Sequence, residues 1–278
     1  MPELPEVETI VRTLEPGIRG RVVAGVELLF RPLLRRAGPE ALDSLAGRRV
    51  IGAHRRGKMA VIELEGGLAL VFHLKMTGRL VLAYGGEPVD KHTRLVLRFG
   101  DGRNELRFVD VRKFGFLACV DGAAADSCPE IAALGPEPLE IPLADFARAV
   151  EGRKGRIKSL LLDQRFIAGI GNIYADEILF DARIHPLTPA SSLSRDAVTR
   201  LWTSMRRILA RAVKAKGSTL RDYVDAEGRA GSYQRLHRVY DREGEPCPRC
   251  GTPIKRIVVG GRGTSFCPFC QRKPRRLN

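Results

Sequence analysis

Residues 59–74 have the sequence MAVIELEGGLALVFHL, in which two apolar runs flank a pair of glycines. Val, Ile, Leu and Phe favour strands, and a glycine pair between two such runs is typical of a tight hairpin turn. A second turn is predicted at Gly100-Asp101-Gly102. Further short β-type runs lie at 79–82, 94–99, 105–109 and 114–120. Strands joined in sequence by short turns predict a mostly antiparallel sheet, as a sandwich or a flattened barrel.

Helical patterns lie on both sides of this β region. Val7, Ile10, Val11 and Leu14 are spaced as one face of a helix, and Pro16-Gly17 is expected to end it. Apolar residues at helical spacing also run from Val198 to Ala212, after a predicted cap at Ser194.

These patterns predict an α+β multidomain chain. Leu134-Gly-Pro-Glu-Pro138, followed by Pro142, is typical of a linker between domains. The predicted parts are a β-sandwich domain with an opening helix at 1–133, a linker at 134–142, a helical domain at 143–238 and a cysteine-bearing module at 239–278.

Charge narrows the class of partner. The 278 residues carry 47 Lys and Arg against 32 Asp and Glu, a net charge of +15, so nucleic acid or an anionic membrane surface would fit. No apolar run approaches the roughly 20 residues needed to cross a bilayer. The N-terminus is acidic where a signal peptide would be basic and then apolar, so we expect a cytoplasmic protein without a membrane partner.

Four of the six cysteines are spaced as metal ligands. Two CxxC turns separated by 16 residues can supply four thiolates to a tetrahedral zinc ion, and in a reducing compartment thiol ligands are favoured over disulfides. The intervening residues suit a β-hairpin with a glycine-rich tip around Arg262. We therefore predict one structural Zn²⁺, held by Cys247, Cys250, Cys267 and Cys270. Cys119 and Cys128 lack a partner pattern and are interpreted as buried or incidental thiols.

Three further stretches carry a resemblance to a known family. They are Met1-Pro-Glu-Leu-Pro-Glu-Val-Glu-Thr9, His73-Leu-Lys-Met-Thr-Gly78 and Gly169-Ile-Gly-Asn-Ile-Tyr-Ala-Asp-Glu177, and the cysteine module follows them in order. Together they resemble the bacterial formamidopyrimidine-DNA glycosylases from end to end. The resemblance implies a β-sandwich, a helix–two-turn–helix domain and a zinc-finger hairpin. It also implies a monomer that excises oxidised purines from double-stranded DNA and nicks the resulting abasic site.

The resemblance assigns catalysis to four residues. Pro2, once Met1 is removed, would attack as a secondary amine and form a Schiff base, and Glu3 would be the general acid/base. Lys58 would reach the phosphates and the lesion, and Arg262 would clamp the flanking phosphates. From the residues alone, Pro2 would attract no attention and Glu3 would be only an acid at a helix N-terminus.

The resemblance also assigns contacts with DNA. His92, Lys154 and Asn172 are expected on the phosphate backbone, while Met76, Arg112 and Phe114 are expected to fill the space left by an extruded base. Taken in isolation, Met76 and Phe114 would be interpreted as core residues. The segment 219–233 is expected to cover the extruded base, with Ser218 and Tyr233 as candidate contacts. His237 stands where an apolar residue is expected.

Two alternatives remain open at this point. One is the sister group, the endonuclease VIII-like glycosylases that remove oxidised pyrimidines, although Leu4 and Val7 together with the Met76, Arg112 and Phe114 set favour the purine branch. The other is a non-catalytic zinc-ribbon DNA-binding protein, which explains the charge and the cysteines and leaves Pro2, Glu3 and Lys58 unexplained.

Overall fold

A computed structural model describes residues 1–36, 38, 40–121, 128–220 and 223–273. The chain divides into two compact units. The first unit comprises Met1–Ala132 and Ala215–Gln234, and the second comprises Ala133–Lys214 and Arg235–Asn278. The segment 215–234, predicted as part of the helical domain, thus lies in the first unit. Residues 221–222 of the predicted loop and residues 274–278 of the predicted zinc finger lie outside the described residues.

The first unit is a β-sandwich preceded by a helix. Its elements are α1 (Leu4–Ile18), β1 (Val23–Leu28), β2 (Leu34–Arg35), α2 (Glu40–Asp43), β3 (Val50–Arg56), β4 (Met59–Leu64), β5 (Leu68–His73), β6 (Arg79–Tyr84), β7 (Thr93–Phe99), β8 (Asn104–Val109), β9 (Phe116–Asp121) and α3 (Pro129–Ala132). One sheet has the strand order β1-β7-β8-β6 and the other β2-β9-β5-β4-β3, with antiparallel pairing throughout except between β2 and β9. Apolar side chains from both sheets and from α1 share one core, which confirms the predicted architecture.

The hairpin predicted at residues 59–74 is present. β4 and β5 pair in continuous register from Met59 opposite His73 to Leu64 opposite Leu68. Three residues, Glu65 to Gly67, join the two strands. Gly66 and Gly67 both have positive φ, at 79° and 78°, a conformation that glycine adopts without steric cost. This hairpin matters for the site because its open end carries Lys58 and His73.

The opening helix is longer than predicted. α1 continues through Pro16 to Ile18 and ends before Gly20, whose φ is +77°. Ile18 is fully buried, so core packing holds the last turn in helical conformation although Pro16 donates no hydrogen bond within it. The prediction that Pro16-Gly17 ends the helix is therefore wrong by two residues.

The second unit combines helices with a small β-hairpin. In the helix Arg195–Lys214, the predicted apolar face is buried from Val198 to Ala212. Ser194 Oγ accepts a hydrogen bond from the N–H of Ala197 at 3.3 Å, as a helix cap does. In the described part of the chain, no helix is both long and apolar enough to span a membrane. The elements are α4 (Leu143–Val150), α5 (Ile157–Leu162), α6 (Asn172–Ala182), α7 (Arg195–Lys214), β10 (Lys255–Val259) and β11 (Arg262–Phe266).

Candidate active site and nucleic-acid interface

The N-terminus of the first unit is held by a reciprocal cap on α1. Pro2, Glu3 and Glu6 are all buried, and Glu6 Oε2 accepts the backbone N–H of Glu3 at 2.8 Å. The two glutamates form a capping box, which satisfies N–H groups that the first turn of a helix otherwise leaves unpaired. Pro2 is thereby held in a fixed place beside two carboxylates, and Glu3 serves as helix cap whatever chemistry it also performs.

The segment 215–234 is fastened to the same glutamate. Glu6 Oε1 accepts the N–H of Ser218 at 2.7 Å, and the Tyr223 hydroxyl donates to the carbonyl oxygens of Glu6 at 3.3 Å and Lys216 at 3.1 Å. Gly217 has φ +75°, and a Cβ there would lie 2.7 Å from the Glu6 carboxylate. The part of the chain predicted to cover an extruded base is therefore anchored next to Pro2.

Lys58 lies at the open end of the β4–β5 hairpin. Gly57, at φ +56°, turns the chain between β3 and β4, and Lys58 is only 6% exposed. His73 ends β5 opposite Met59. Burial, assisted by the positive charges of Lys75, Lys58 and Arg35, lowers the pKa of His73 to about 3. His73 is therefore neutral at physiological pH and can donate a hydrogen bond to an anion from one ring nitrogen.

Met76, Arg112 and Phe114 form one exposed cluster. Met76 and Phe114 are 45% and 51% exposed, so the interpretation of both as core residues, taken in isolation, does not hold. Arg112 connects them, with Nη1 3.2 Å from Met76 Sδ and the guanidinium carbon 4.9 Å from the centre of the Phe114 ring. A thioether, a planar cation and a ring on a surface are suited to wedging and stacking among bases.

Asp110 shapes the loop that carries this cluster. The residue is 1% exposed, and its carboxylate accepts the Thr77 hydroxyl, the N–H of Arg112 at 3.2 Å and the N–H of Gly115 at 2.8 Å. Lys113, between these donors, has φ +58°. Since a left-handed conformation is unfavourable for lysine, the hydrogen bonds to Asp110 offset its cost and keep Arg112 and Phe114 at the surface.

His92 lies directly before β7. Its N–H is bound by Asp90 Oδ1 at 2.6 Å, and its carbonyl oxygen accepts the N–H of Asp110 at 2.9 Å. Arg94, the second residue of β7, donates from Nε to the Asp110 carbonyl oxygen at 2.9 Å. His92 and the exposed cluster are thus attached to the same aspartate.

Asn172 and the finger strand meet within the second unit. Gly260 and Gly261, at φ +57° and +73°, form the hairpin tip, and Arg262 is the exposed first residue of β11. Asn172 is the first residue of α6 and donates from Nδ2 to the carbonyl oxygen of Gly263 at 2.9 Å. The Asn172 amide and the strand that carries Arg262 therefore belong to one local structure. Lys154 is exposed in the loop between α4 and α5.

A buried ion pair supports this finger strand. Lys158 and Asp176 are 0% and 1% exposed, with Nζ 2.6 Å from Oδ1. Lys158 also donates to Thr264 Oγ1 at 2.7 Å and to the Gly263 carbonyl oxygen at 3.2 Å, while Asp176 Oδ2 accepts the N–H of Ser265 at 2.9 Å. Burial nevertheless raises the pKa of Asp176 to about 7.

The four predicted zinc ligands come together. Their sulfur atoms all lie within 4.8 Å of one another, with Cys250 to Cys267 at 3.5 Å and Cys247 to Cys270 at 3.9 Å. Zinc–sulfur bonds of about 2.3 Å in a tetrahedron place sulfur atoms roughly 3.8 Å apart, so the donor set fits one Zn²⁺. The other two cysteines, Cys119 and Cys128, are respectively half-buried and buried.

The zinc module is tied to α6 at several points. Arg249, within the first CxxC turn, donates to the carbonyl oxygens of Phe180 at 2.8 Å and Asp181 at 3.2 Å, where a cation stabilises a helix C-terminus. The buried Glu177 accepts the N–H groups of Arg238, Val239 and Tyr240, each at 2.9 Å. The position of Arg262 therefore depends on the metal module and α6 together.

The site residues predicted from the sequence did not include His73, Asp110 or the Lys158–Asp176 pair. His73 and Asp176 lie inside stretches quoted for the resemblance, and Asp110 stands at the end of a strand where aspartate often binds nearby backbone N–H groups. Lys158 offered no signal, since a buried lysine is recognised only by its partner. His237 packs edge-on against the Tyr240 ring, 5.6 Å between ring centres, in a largely buried position that explains why an apolar residue was expected there.

Comparison with known proteins covers nearly the whole chain. Residues 1–117 match the formamidopyrimidine-DNA glycosylase N-terminal domain, residues 134–224 the H2TH domain of the same glycosylases, and residues 244–272 the zinc finger found in FPG and IleRS. The formamidopyrimidine-DNA glycosylase of Solibacter usitatus is 48% identical over 275 residues, covering 98% of this chain and all of the relative. That of Geobacillus kaustophilus is 47% identical over 277 residues, again covering 98% and 100%.

Solved structures of similar fold come from the same glycosylase family. A mutant Lactococcus lactis enzyme in complex with DNA containing Fapy-dG is 37% identical, with a TM-score of 0.92 over 98% of this chain and 100% of that chain. The same enzyme in complex with abasic-site DNA is 36% identical, with a TM-score of 0.91 over the same shares.

Proposed function

This chain belongs to the formamidopyrimidine-DNA glycosylase family, and from that premise we propose that it removes oxidised purines from duplex DNA and then cleaves the abasic site. The observation that carries the proposal is the N-terminus, where Pro2 is buried next to the capping pair Glu3 and Glu6. The substrates are 8-oxoguanine and formamidopyrimidines, paired with cytosine.

The chemistry requires that Met1 be removed, because Pro2 is otherwise an amide without a nucleophilic lone pair. A free α-amine titrates near pH 8, so a useful fraction is neutral at physiological pH. Its nitrogen bonds to C1′ of the damaged nucleotide as the glycosidic bond breaks and the base departs with the electron pair. Loss of the amine proton and cleavage of the bond between C1′ and the sugar ring oxygen then give a positively charged iminium, which withdraws electrons and promotes β- and then δ-elimination of the two phosphates.

Glu3 acts as the general acid and general base. A carboxylic acid beside the nucleophile can protonate the sugar ring oxygen as the ring opens, and its conjugate base can accept the proton that leaves during elimination. Glu6 is a positioning residue, since it holds the N–H of Glu3 and the N–H of Ser218 with its two oxygens.

Extrusion of the base falls to the exposed Met76, Arg112 and Phe114 cluster. An enzyme that acts on a base inside a duplex must take that base out of the stack and fill the space it leaves. The segment 219–233, with Ser218 and Tyr233, is proposed to cover the extruded base.

We propose that cationic and neutral polar side chains bind the phosphate backbone. We assign phosphate contacts to Lys58, His92, Lys154, Asn172 and Arg262, and the net charge of +15 supports this set. Each cation–phosphate contact displaces counterions, so affinity is expected to fall steeply with salt. The zinc ion fixes the hairpin that carries Arg262, and four cysteines leave no open coordination position for catalysis.

The sister activity on oxidised pyrimidines is the nearest competitor. Leu4 and Val7 are fully buried in the core, so they cannot contact a lesion. They favour the purine branch through the family resemblance alone. Substrate preference distinguishes the purine-specific branch from the pyrimidine-specific branch. Protein shown by mass spectrometry to lack Met1 should cleave a duplex with 8-oxoguanine opposite cytosine far faster than a matched thymine glycol duplex. The reverse preference would contradict the purine assignment.

A non-catalytic zinc-ribbon binder would bind both duplexes and cleave neither. We further propose that the protein works as a monomer in the bacterial cytoplasm on nucleoid DNA, which is supported by the bacterial origin of the relatives.

A further inference from the structure

We propose that Arg35 and Lys75 form an additional phosphate subsite beside His73, which binds the DNA strand next to the contact made by Lys58. This inference rests on the proposed function, because it names a further part of the same DNA interface. All four residues belong to the first unit.

The ring of Phe116 gathers three of these side chains in one place. Phe116 is 2% exposed, with the guanidinium carbon of Arg35 4.3 Å from the ring centre, Lys75 Nζ 5.7 Å from it and the His73 ring centre 5.4 Å from it. A buried aromatic ring attracts cations over its face and limits their conformations. Arg35 and Lys75 are therefore preorganised, although Arg35 is exposed.

The charge of this cluster has no counterpart in the described part of the chain. Neither Arg35 nor Lys75 forms an ion pair with a described carboxylate, whereas the neighbouring Arg36 binds Glu130 at 3.0 Å. Burial and the charge of Arg35 lower the pKa of Lys75, as expected when like charges are held close together. A bound anion would relieve this repulsion.

The backbone around Lys75 orients the histidine as a donor. Lys75 has φ +51°, a conformation that favours glycine, and its N–H donates to His73 Nδ1 at 3.0 Å. With Nδ1 as acceptor, the proton of the neutral ring resides on Nε2. Arg35, Lys75 and His73 therefore present only donors, which matches the acceptor oxygens of a phosphate and the bidentate preference of arginine.

Salt dependence of binding tests the subsite directly. The probe is a duplex with a tetrahydrofuran abasic analogue, which cannot be processed, and the variants are Arg35→Gln and Lys75→Gly. Glycine suits the positive φ at position 75, so that variant removes charge without strain. Each lost phosphate contact should reduce the slope of log affinity against log salt by about 0.9 and weaken binding roughly fivefold to tenfold at 0.1 M salt.

Two further variants separate charge from structure. Arg36→Gln is the matched control, because it removes an adjacent exposed arginine that Glu130 neutralises, and it should leave the slope unchanged. Arg35→Lys keeps the charge and should restore most of the slope lost in Arg35→Gln. Slopes for Arg35→Gln and Lys75→Gly equal to that of Arg36→Gln would overturn the subsite. Failure of the unaltered protein to bind the duplex would instead refute the proposed function.

Discussion

Removing the ammonium of Lys158 should destabilise the second unit severely. In Lys158→Met the methionine fills much of the same volume, while Asp176 keeps its carboxylate buried and retains the Ser265 N–H as a partner. Breaking a buried ion pair from one side costs about 3–5 kcal/mol, because the remaining charge is uncompensated. We expect a loss of that size in the free energy of unfolding at pH 8.

The cost should depend on pH in a defined direction. Burial already raises the pKa of Asp176 to about 7, and loss of the ammonium raises it further. The folded variant then holds a proton that the unfolded chain, with a carboxyl pKa near 3.9, releases. Stability of Lys158→Met should therefore recover as pH falls below the folded pKa, by up to about 1.4 kcal/mol for each pH unit.

Urea unfolding of zinc-loaded protein, followed by tryptophan fluorescence, measures this loss. Trp202 is the single tryptophan, and it lies in the second unit with Nε1 bonded to the Ile141 carbonyl oxygen at 2.9 Å. The double variant Lys158→Met with Asp176→Leu removes both charges and should be more stable than the single variant. Either of two results would contradict the stabilising role of the Lys158 ammonium. One is a single variant as stable as the unaltered protein at pH 8, and the other is a double variant less stable than the single variant.

Three other perturbations follow from the site. Cys267→Ser should lower zinc content, unfold the hairpin and weaken DNA binding; full affinity after verified metal loss would contradict the structural role of zinc. Asp110→Ala leaves the N–H of Gly115 without its acceptor and leaves the N–H of Arg112 only Thr77 Oγ1, at 3.1 Å. It should cost about 1–3 kcal/mol and reduce base extrusion, measured with 2-aminopurine fluorescence; unchanged extrusion would count against the role of the loop. His237→Phe should reduce acid sensitivity, because burial lowers the pKa of His237 to about 4, with Asp241 opposing and Arg242 assisting. The unfolded chain takes up that proton near pH 6.5 and the folded chain does not, so the variant should lose about 2 kcal/mol less stability between pH 8 and pH 5; equal losses in urea unfolding would contradict the linkage.

The sequence pattern predicted those helices and strands that form through contacts between residues close in the sequence. The β4–β5 hairpin and the long helix α7 follow from periodicity, because strands with tight turns and amphipathic helices are encoded in adjacent residues. β2 was not predicted, since its two residues are ordered by parallel pairing with the distant β9. β1 was missed as well, because Ala24 and Gly25 weaken the strand pattern of its six residues and its partner β7 is distant in sequence.

Long-range contacts explain the remaining differences. Segment 215–234 belongs to the first unit because Ser218 and Tyr223 bind Glu6, more than 200 positions away, and no local pattern announces such a contact. Composition alone would bury Phe114, yet hydrogen bonds to Asp110 hold its loop at the surface. For Pro2 and Glu3, residue type and spacing carry no catalytic signal, so their assignment depends on resemblance to the family.

Borohydride trapping tests the central claim most directly. Protein verified by mass spectrometry to lack Met1 is incubated with a duplex containing 8-oxoguanine and reduced with borohydride, and the linked peptide is then sequenced. Protein that retains an extra N-terminal residue is the matched control and should bind without crosslinking. We expect a covalent adduct on the nitrogen of Pro2. Bound DNA without an adduct, or an adduct on a lysine side chain, would contradict it.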